Sequence, residues 1–502
     1  MKKVLIIGAG IGGLSTAVRL LSKGYDVEIL EKQDTIGGKV NQINDNGYKF
    51  DLTASVLMNP NIYKDLFTYA NKDYSKYIDL IRLDPIYRVN YYDGSSYDFY
   101  SDDNRNISTL ESIEKNSSVG YMKCLSKSYE KYKIINNNFL EKQMNKLNQM
   151  INCKNLTNIL KTNPLPSSYK FFSKYIKNEK ILDYLTFQAM YIGVNPFEES
   201  NLYTLIPTIS KLYGLAYIKG GMYAYIQALE KLIYELGGKI HKNIEVKEIL
   251  IDDSVVKGVR CKDKNYYSDI VVCNADFPYA IKNLVKDKKY KGKYTDKKIE
   301  KYDYSCSTFI VYLGLNKKFN TLKTHNIYIG NKFKENIEKA FKGKIPDIPS
   351  LYIYCPTSID NTMAGKAKET INIMLRVPNL SYKNIVWDKK TIEETRIKVL
   401  NSIKNIKGLE DIENHIIYES ITTPVDFERQ YNSYKGTAFG LGHNLSQVGY
   451  FRPHIKSDNV KNLYFIGSST HPGNGVSVII NGSRLIVEQI LKDGLKNSSK
   501  YY

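Results

Sequence analysis

The sequence predicts an α/β fold in which a Rossmann-like domain is assembled from three separated stretches of chain, 1–75, 215–290 and 445–498. Three observations predict it: a glycine-rich turn between a strand and a helix near the start, a helix-and-strands block at 220–276, and a strand, glycine turn and helix at 462–491. A chain of 502 residues exceeds what one core ordinarily serves, so other domains are expected between these pieces.

KVLII reads as a buried strand and runs into Gly8-Ala9-Gly10-Ile11-Gly12-Gly13. A helix follows to about Lys23, Gly24 stops it, DVEIL forms a second strand, and Glu31 stands at its end, followed by Lys32. Gly8, Gly10 and Gly13 have the G-x-G-x-x-G spacing, which allows a tight turn, close approach of backbone to a pyrophosphate, and tight helix–sheet packing. Glu31 stands where a carboxylate accepts hydrogen bonds from an adenosine ribose. The turn identifies a dinucleotide site without saying which dinucleotide.

Residues 62–140 are rich in Tyr, Asp and Ser, with a hairpin expected at YRVNYYDGSSYDFY, turning at Asp93-Gly94. From about 108 to 192 apolar residues recur at helical spacing. Within that stretch, SSYKFFSKYIKNEKIL sets Phe171, Phe172, Tyr175 and Ile176 against Lys170, Lys174 and Lys177. That amphipathic pattern suits a membrane or partner interface and equally a helix packed on the protein's own core.

The 220–276 block contains a long helix ended by Gly237-Gly238, three short strands, and a closing strand IVVCNAD. At 462–491, LYFIG meets a glycine-rich turn and then a helix starting near Val476, whose backbone N–H groups can stabilise negative charge on a cofactor. No second G-x-G-x-x-G appears, which argues against a separate nicotinamide domain.

Composition excludes disorder: 42% of residues are hydrophobic and 25% charged. The six cysteines have no C-x-x-C pairing, which argues against a zinc site or disulfide framework, fits a reducing cytoplasm, and suggests buried thiols. VLIIGAGIGGL is broken by glycines and too short to span a bilayer, so neither a leader nor a transmembrane helix is expected. The net charge of +20 has three readings: a codon bias toward lysine, an anionic membrane surface, or nucleic acid. No nucleic-acid module accompanies it. The densest basic run, 286–301, reads as a solvated loop or helix face.

Taken together, EKQDTIGGKVNQI (31–43), FQAMYIGVNPFEESNLYTLIP (187–207), YIKGGMYAYIQAL (217–229), DYSCSTFIVYLGL (303–315), TPVDFERQYNSYKGTAFGL (423–441) and STHPGNGV (469–476) resemble the bacterial phytoene-desaturase-type carotenoid desaturases. These belong to the wider amine-oxidase-like FAD superfamily. The resemblance covers nearly the whole chain and is strongest to the branch acting on a thirty-carbon precursor. It implies a Rossmann-like FAD-binding domain of the amine-oxidase/glutathione-reductase type, an interleaved α+β substrate domain (76–107 and 291–444), and a helical membrane-associating region (108–214).

The resemblance also implies that Gly8, Ala9, Gly10, Ile11, Gly12 and Gly13 hold the FAD pyrophosphate and that Glu31, with Lys32 beside it, holds the ribose. Gly38 and Lys39 approach the phosphates, Val246 the adenine, and Gly467, Gly475 and Val476 the pyrophosphate and isoalloxazine. The chain departs from the family in three places: Lys39 stands for the usual Arg, Thr53-Ala54 for Gly-Pro, and Ser477 for Pro. Asp426, Arg429, His471, Glu198 and Glu199 are polar residues within family-like segments; such residues are more often structural than catalytic, and no base is assigned. No metal is implied.

The implied reaction moves a hydride from a linear isoprenoid hydrocarbon to FAD, with quinone or O₂ as final electron acceptor. The alternatives are a terminal-methyl oxygenase of the same fold, a desaturase of a forty-carbon substrate, and a non-catalytic prenyl carrier. The oxygenases usually carry Asn-Pro where this chain has His471-Pro472. At ~0.8 kcal/mol per CH₂, a thirty-carbon hydrocarbon costs on the order of 20 kcal/mol to move into water. The expectation is therefore a cytoplasmic protein, peripheral on the inner face of the cell membrane, with the lipid surface as its partner.

Overall fold

The computed structural model describes residues 2–53 and 55–498, with backbone alone for 496–498. Ala54, one of the family departures, lies outside the described residues.

A five-stranded parallel sheet has the order Lys239–His241, Asp26–Leu30, Lys3–Ile7, Ile270–Cys273, Leu463–Phe465. Strands buried on both faces need apolar residues throughout, which is why KVLII and IVVC lack polar alternation. Val4 and Ile6 point to one face, into a core with Leu14 and Val18 of helix Ile11–Leu21, Leu229 and Ile233 of helix Met222–Glu235, and Ile480 of helix Val476–Ser498. Leu5 and Ile7 point to the other, packing with Val246, Ile249 and Val259 of a three-stranded antiparallel sheet. The first helix ends at Leu21, two residues before the expected stop.

A second, seven-stranded sheet is ordered Ile416–Thr422, Ser307–Leu315, Glu369–Val377, Leu351–Tyr354, His325–Ile329, Tyr87–Tyr91, Ser96–Phe99. Its pairings are antiparallel except His325–Ile329 with Tyr87–Tyr91. Along Ser307–Leu315, Phe309, Val311 and Leu313 face Val399 and Leu400 of helix Lys389–Ile403, while Ile310 and Tyr312 face a core shared with the helical region. The Asp93-Gly94 hairpin forms as expected, with Gly94 at φ +82° and its N–H donating to the Tyr91 carbonyl at 2.9 Å.

Residues 103–187 are mainly helical, including Asp103–Ile113, Ser117–Ile135, Cys153–Thr162 and Glu179–Phe187. The even choice left by SSYKFFSKYIKNEKIL resolves to core. Phe171, Phe172 and Ile176 are buried in the cluster beneath the large sheet, because Ser167 caps only a five-residue helix that turns inward. Five of the cysteines are buried thiols, but Cys153 is exposed, since it opens helix Cys153–Thr162 on the surface. Among the described residues, no helix is long and apolar enough to cross a membrane.

Candidate functional site

The site is one elongated cleft of about 410 Å³ that starts at the C-terminal ends of the parallel strands. Such an end is where open α/β sheets bind ligands. Gly8 leaves the first strand at φ +90°, a conformation that a side chain resists. A Cβ on Gly13 would lie 2.2 Å from the Gly8 carbonyl oxygen, so only glycine lets the helix start this close to the strand. Asn274, at the end of Ile270–Cys273, donates from Nδ2 to that same carbonyl at 3.3 Å and closes against Gly10 and Gly12.

Glu31 is buried at the edge of this turn. One carboxylate oxygen accepts the Ala9 N–H at 2.7 Å and the other the Gln33 N–H at 2.9 Å. Each oxygen keeps lone-pair capacity for a ribose hydroxyl. Leu30, Ile244, Val246, Tyr279 and Leu284 line the adjoining end, an apolar slot suited to a base. Lys32 also lines the cleft, but its Nζ donates to Asn432 Oδ1 at 3.0 Å, and burial lowers its pKa.

Gly37 donates to the Ala9 carbonyl at 2.9 Å, which brings Gly38 and Lys39 beside the turn. The Lys39 ammonium donates to the carbonyls of Thr437 and Ala438 at 3.2 and 3.1 Å. Burial brings its pKa down to about 8, against the pull of Asp276. It is a half-buried cation with neutral hydrogen-bond partners beside the glycine turn. A lysine offers a point charge there, where arginine would offer a bidentate fork.

Across the cleft, Gly467, Gly475 and Val476 form the opposite wall. A Cβ on Gly467 would meet nothing within 4 Å, so the space in front of it is free for a ligand. Val476 and Ser477 open a 23-residue helix, and both line the cleft. The unsatisfied N–H groups and positive dipole end of that helix favour negative charge. Asp276 ties the two walls together, accepting from Ser469 Oγ at 2.5 Å and from the Tyr434 N–H at 2.9 Å. Arg452, 1% exposed, donates to five carbonyls, those of Leu441, Gly442, Gln447, Ser468 and Thr470, at 2.6–3.3 Å. Burial lowers its pKa to about 10.

Beyond this wall the cleft becomes an apolar chamber lined by Val56, Met58, Ile192, Ile206, Ile209 and Met374. The carboxylates among the lining residues, Glu31, Glu245 and Asp276, belong to the nucleotide end. In the chamber Arg376 is buried, donating from Nε to the Met190 carbonyl at 2.8 Å and lying 5.1 Å from the Phe439 ring centroid. Ser55 Oγ and the Tyr352 hydroxyl are 2.8 Å apart, and Tyr352 continues to His325 Nδ1 at 2.7 Å.

The polar candidates from the sequence lie outside the cleft lining. Asp426 caps its helix, its Oδ2 accepting from the Thr423 N–H at 2.9 Å and Oγ1 at 2.8 Å. Arg429 is exposed and donates to Asp426 Oδ1 at 2.9 Å. His471 donates from Nε2 to the Lys142 carbonyl at 2.8 Å, and burial lowers its pKa to about 4. Glu198 lies 3.7 Å from Lys342, and burial raises the Glu199 carboxyl to about 7. These contacts give Asp426 and His471 structural partners rather than a view of a substrate.

Asn274, Asp276, Arg376, Arg452, Ser55, Tyr352 and His325 were not singled out in the sequence. Asn274 and Asp276 carried a usable signal, since they lie in the IVVCNAD segment, just past the strand Ile270–Cys273 that the structure forms there. The others come together only through tertiary packing.

The residues present fit a flavin dinucleotide: a Cβ-free turn and free space at Gly467 for the pyrophosphate, a carboxylate for the ribose, and a helix N-terminus at the far end. The family model for flavin-containing amine oxidoreductases matches residues 11–479. A curated 4,4'-diapophytoene desaturase (4,4'-diaponeurosporene-forming) from Staphylococcus haemolyticus is 35% identical over 98% of this chain and 99% of its own. The protein of that name from Staphylococcus aureus strain Newman is 36% identical over the same shares. A solved oxidoreductase from Methanosarcina mazei superposes with a TM-score of 0.66 at 16% identity, covering 97% of this chain and 100% of that one, which shows the common fold. The cofactor is FAD. The chain belongs to the flavin-containing amine oxidoreductases and, within them, to the family of the 4,4'-diapophytoene desaturases.

Proposed function

We propose that this protein desaturates a linear thirty-carbon polyene, taking 4,4'-diapophytoene to more conjugated products such as 4,4'-diaponeurosporene. The two staphylococcal relatives are named for that reaction and match end to end. The geometric observation that carries the reading is the chamber: its walls are aliphatic and aromatic, and its lining carboxylates are confined to the nucleotide end. An aliphatic wall replaces the lipid around each CH₂, so that a hydrocarbon drawn from a bilayer never bears the ~0.8 kcal/mol per CH₂ that water would cost it.

Bound FAD would supply the acceptor for a hydride from an allylic C–H, and the adjacent carbon gives up a proton, its C–H electron pair becoming the new C=C bond. Glu31 and the Gly8–Gly13 turn would hold one end of that cofactor, and the N-terminus of helix Val476–Ser498 would favour negative charge at the other. Met58, Ile206 and Ile209 exclude water and hold the chain in line. Arg376 is held on the Met190 carbonyl and Phe439 and makes no ion pair among the described residues.

The same reading makes the protein peripheral on the inner face of the cell membrane, drawing substrate from the lipid, with quinone or O₂ as final electron acceptor. Expression in a host that makes 4,4'-diapophytoene, followed by pigment analysis, tests the activity. Yellow products of lower hydrogen content are expected. Unchanged substrate with flavin bound would overturn the proposal, and label from ¹⁸O₂ in the product would instead make it an oxygenase.

A further inference from the structure

A second cavity, of about 500 Å³, opens between helix Ser117–Ile135 and the segment 161–175, away from the dinucleotide cleft. Lys127, Lys131, Lys133, Lys161 and Lys174 line it, with Glu130 as the sole carboxylate. Among the described residues its one ion pair is Lys127 with Glu130, at 3.0 Å, on the outside.

Lys131 forms the floor. It is 7% exposed, its ammonium lies 3.8 Å from the Phe171 ring centroid, and it donates to Asn201 Oδ1 at 2.6 Å. A ring face and a neutral amide replace only part of the hydration that a buried ammonium loses. Burial and nearby Lys174 bring its pKa down to about 8, the mark of a cation without a counter-ion. An anion in the cavity would complete it.

The rim indicates which anion. Leu160 and Leu165 directly precede the lining residues Lys161 and Pro166, and at 73% and 80% exposure they are the most exposed large apolar side chains among the described residues. Leu156 is also exposed, one turn before Leu160 on the same helix. Protruding leucines beside a lysine-lined hollow match a surface that dips into acyl chains while its cations meet headgroup phosphates. One helix links the patch to the chamber. Asn201 opens the turn leading into helix Leu205–Tyr213, whose Ile206 and Ile209 line the chamber and whose Leu205 packs with Tyr132 and Ile135.

We propose that this cavity binds the phosphate of an anionic phospholipid headgroup, with Lys131 at its floor and Leu160 and Leu165 in the acyl layer, so that helix Leu205–Tyr213 presents the chamber to the bilayer. The proposal rests on the peripheral-membrane reading above.

Co-sedimentation of the full-length holoprotein with phosphatidylcholine vesicles, with and without phosphatidylglycerol, tests it. Wild type is expected to bind the mixed vesicles. The exposed double variant Lys161→Glu/Lys174→Glu is expected to bind them at least about tenfold more weakly, and Lys131→Met more weakly with flavin absorbance retained. The control Lys288→Glu/Lys297→Glu, with the same charge change on the exposed 286–301 segment, is expected to bind as wild type does. Wild type that ignores mixed vesicles would overturn the membrane reading and the site together. Binding that survives in Lys161→Glu/Lys174→Glu, or that falls equally in the control, would overturn the site alone. Saturable binding of inorganic phosphate that depends on Lys131, without vesicle binding, would assign the cavity to a soluble phosphate and likewise overturn the proposal.

Discussion

The hydroxyl of Tyr352 lies 2.7 Å from Nδ1 of His325 and fixes that ring beneath the chamber. His325 is 1% exposed, stacks at 5.5 Å on Tyr354, and its Nε2 has no partner among the described residues. Tyr352 also reaches Ser55 at 2.8 Å, so its one oxygen serves two buried groups.

Tyr352→Phe should therefore strand two polar groups at once. Leaving buried donors or acceptors unpaired costs about 1–3 kcal/mol each, less whatever local rearrangement recovers. Urea unfolding of the purified holoprotein is expected to show a loss of at least about 1 kcal/mol. A stability equal to wild type would mean that the Ser55–Tyr352–His325 chain holds nothing together.

Burial lowers the pKa of His325 to about 3 and of His471 to about 4, from an ordinary 6.5. As pH falls below 6.5 the unfolded chain takes up these protons and the folded one does not, so the stability from each neutral imidazole is complete above 6.5 and is lost toward about 3 for His325 and about 4 for His471. The slope is about 1.4 kcal/mol per pH unit for each ring. Asp183 and Glu199, both raised to about 7 by burial, act in the opposite sense between their ordinary values and 7. A difference measurement separates the two. The stability gap between wild type and His471→Asn is expected to shrink as pH drops from 6.5 to 4, and a pH-independent gap would contradict it.

Glu31→Gln tests the ribose end. The amide keeps one acceptor oxygen but turns an N–H₂ toward the N–H of Ala9 or Gln33. Losing one charge-assisted bond and opposing two donors should weaken FAD binding by about 10- to 100-fold. Titration of the apoprotein with FAD, followed by flavin fluorescence, reads this directly, and the apoprotein itself should lose about 1–3 kcal/mol of stability, because one buried backbone N–H is left facing an amide N–H₂.

Gly13→Ala places a methyl 2.2 Å from the Gly8 carbonyl oxygen, backbone that cannot rotate away. Overpacking of this kind costs about 1–3 kcal/mol, and here it also lifts the first helix off the phosphate turn. The variant is expected to purify with much less flavin per mole of protein. Full flavin content would show that the turn yields.

The cofactor half of the fold was legible because its signals are local. The spacing of Gly8, Gly10 and Gly13 reports backbone sterics, and KVLII and IVVC report burial on both faces; both act within a few residues. Asp426 drew attention as a polar residue in a family-like segment, with no base assigned to it, yet Thr-Pro-Val-Asp is a helix-start pattern whose capping geometry was readable from the same four residues. The helical region was harder. An amphipathic stripe does not say whether its apolar side meets protein or lipid, and SSYKFFSKYIKNEKIL turned inward while Leu160 and Leu165 remained outside. Arg452 was out of reach for a different reason. Its value lies in five carbonyls gathered from two turns, and carbonyls carry no sequence signature.

The order of the parallel sheet has a consequence for how the protein is made. Its edge strand, Leu463–Phe465, pairs with Ile270–Cys273, and the helix that closes the cleft starts only at Val476. Until the ribosome has delivered those residues, Ile270–Cys273 presents an unpaired edge and the FAD cleft lacks a wall. Contacts of such long sequence separation form late and slowly. Flavin loading therefore belongs to the finished chain, and an emerging chain that stalls before residue 463 is a substrate for chaperones rather than for FAD.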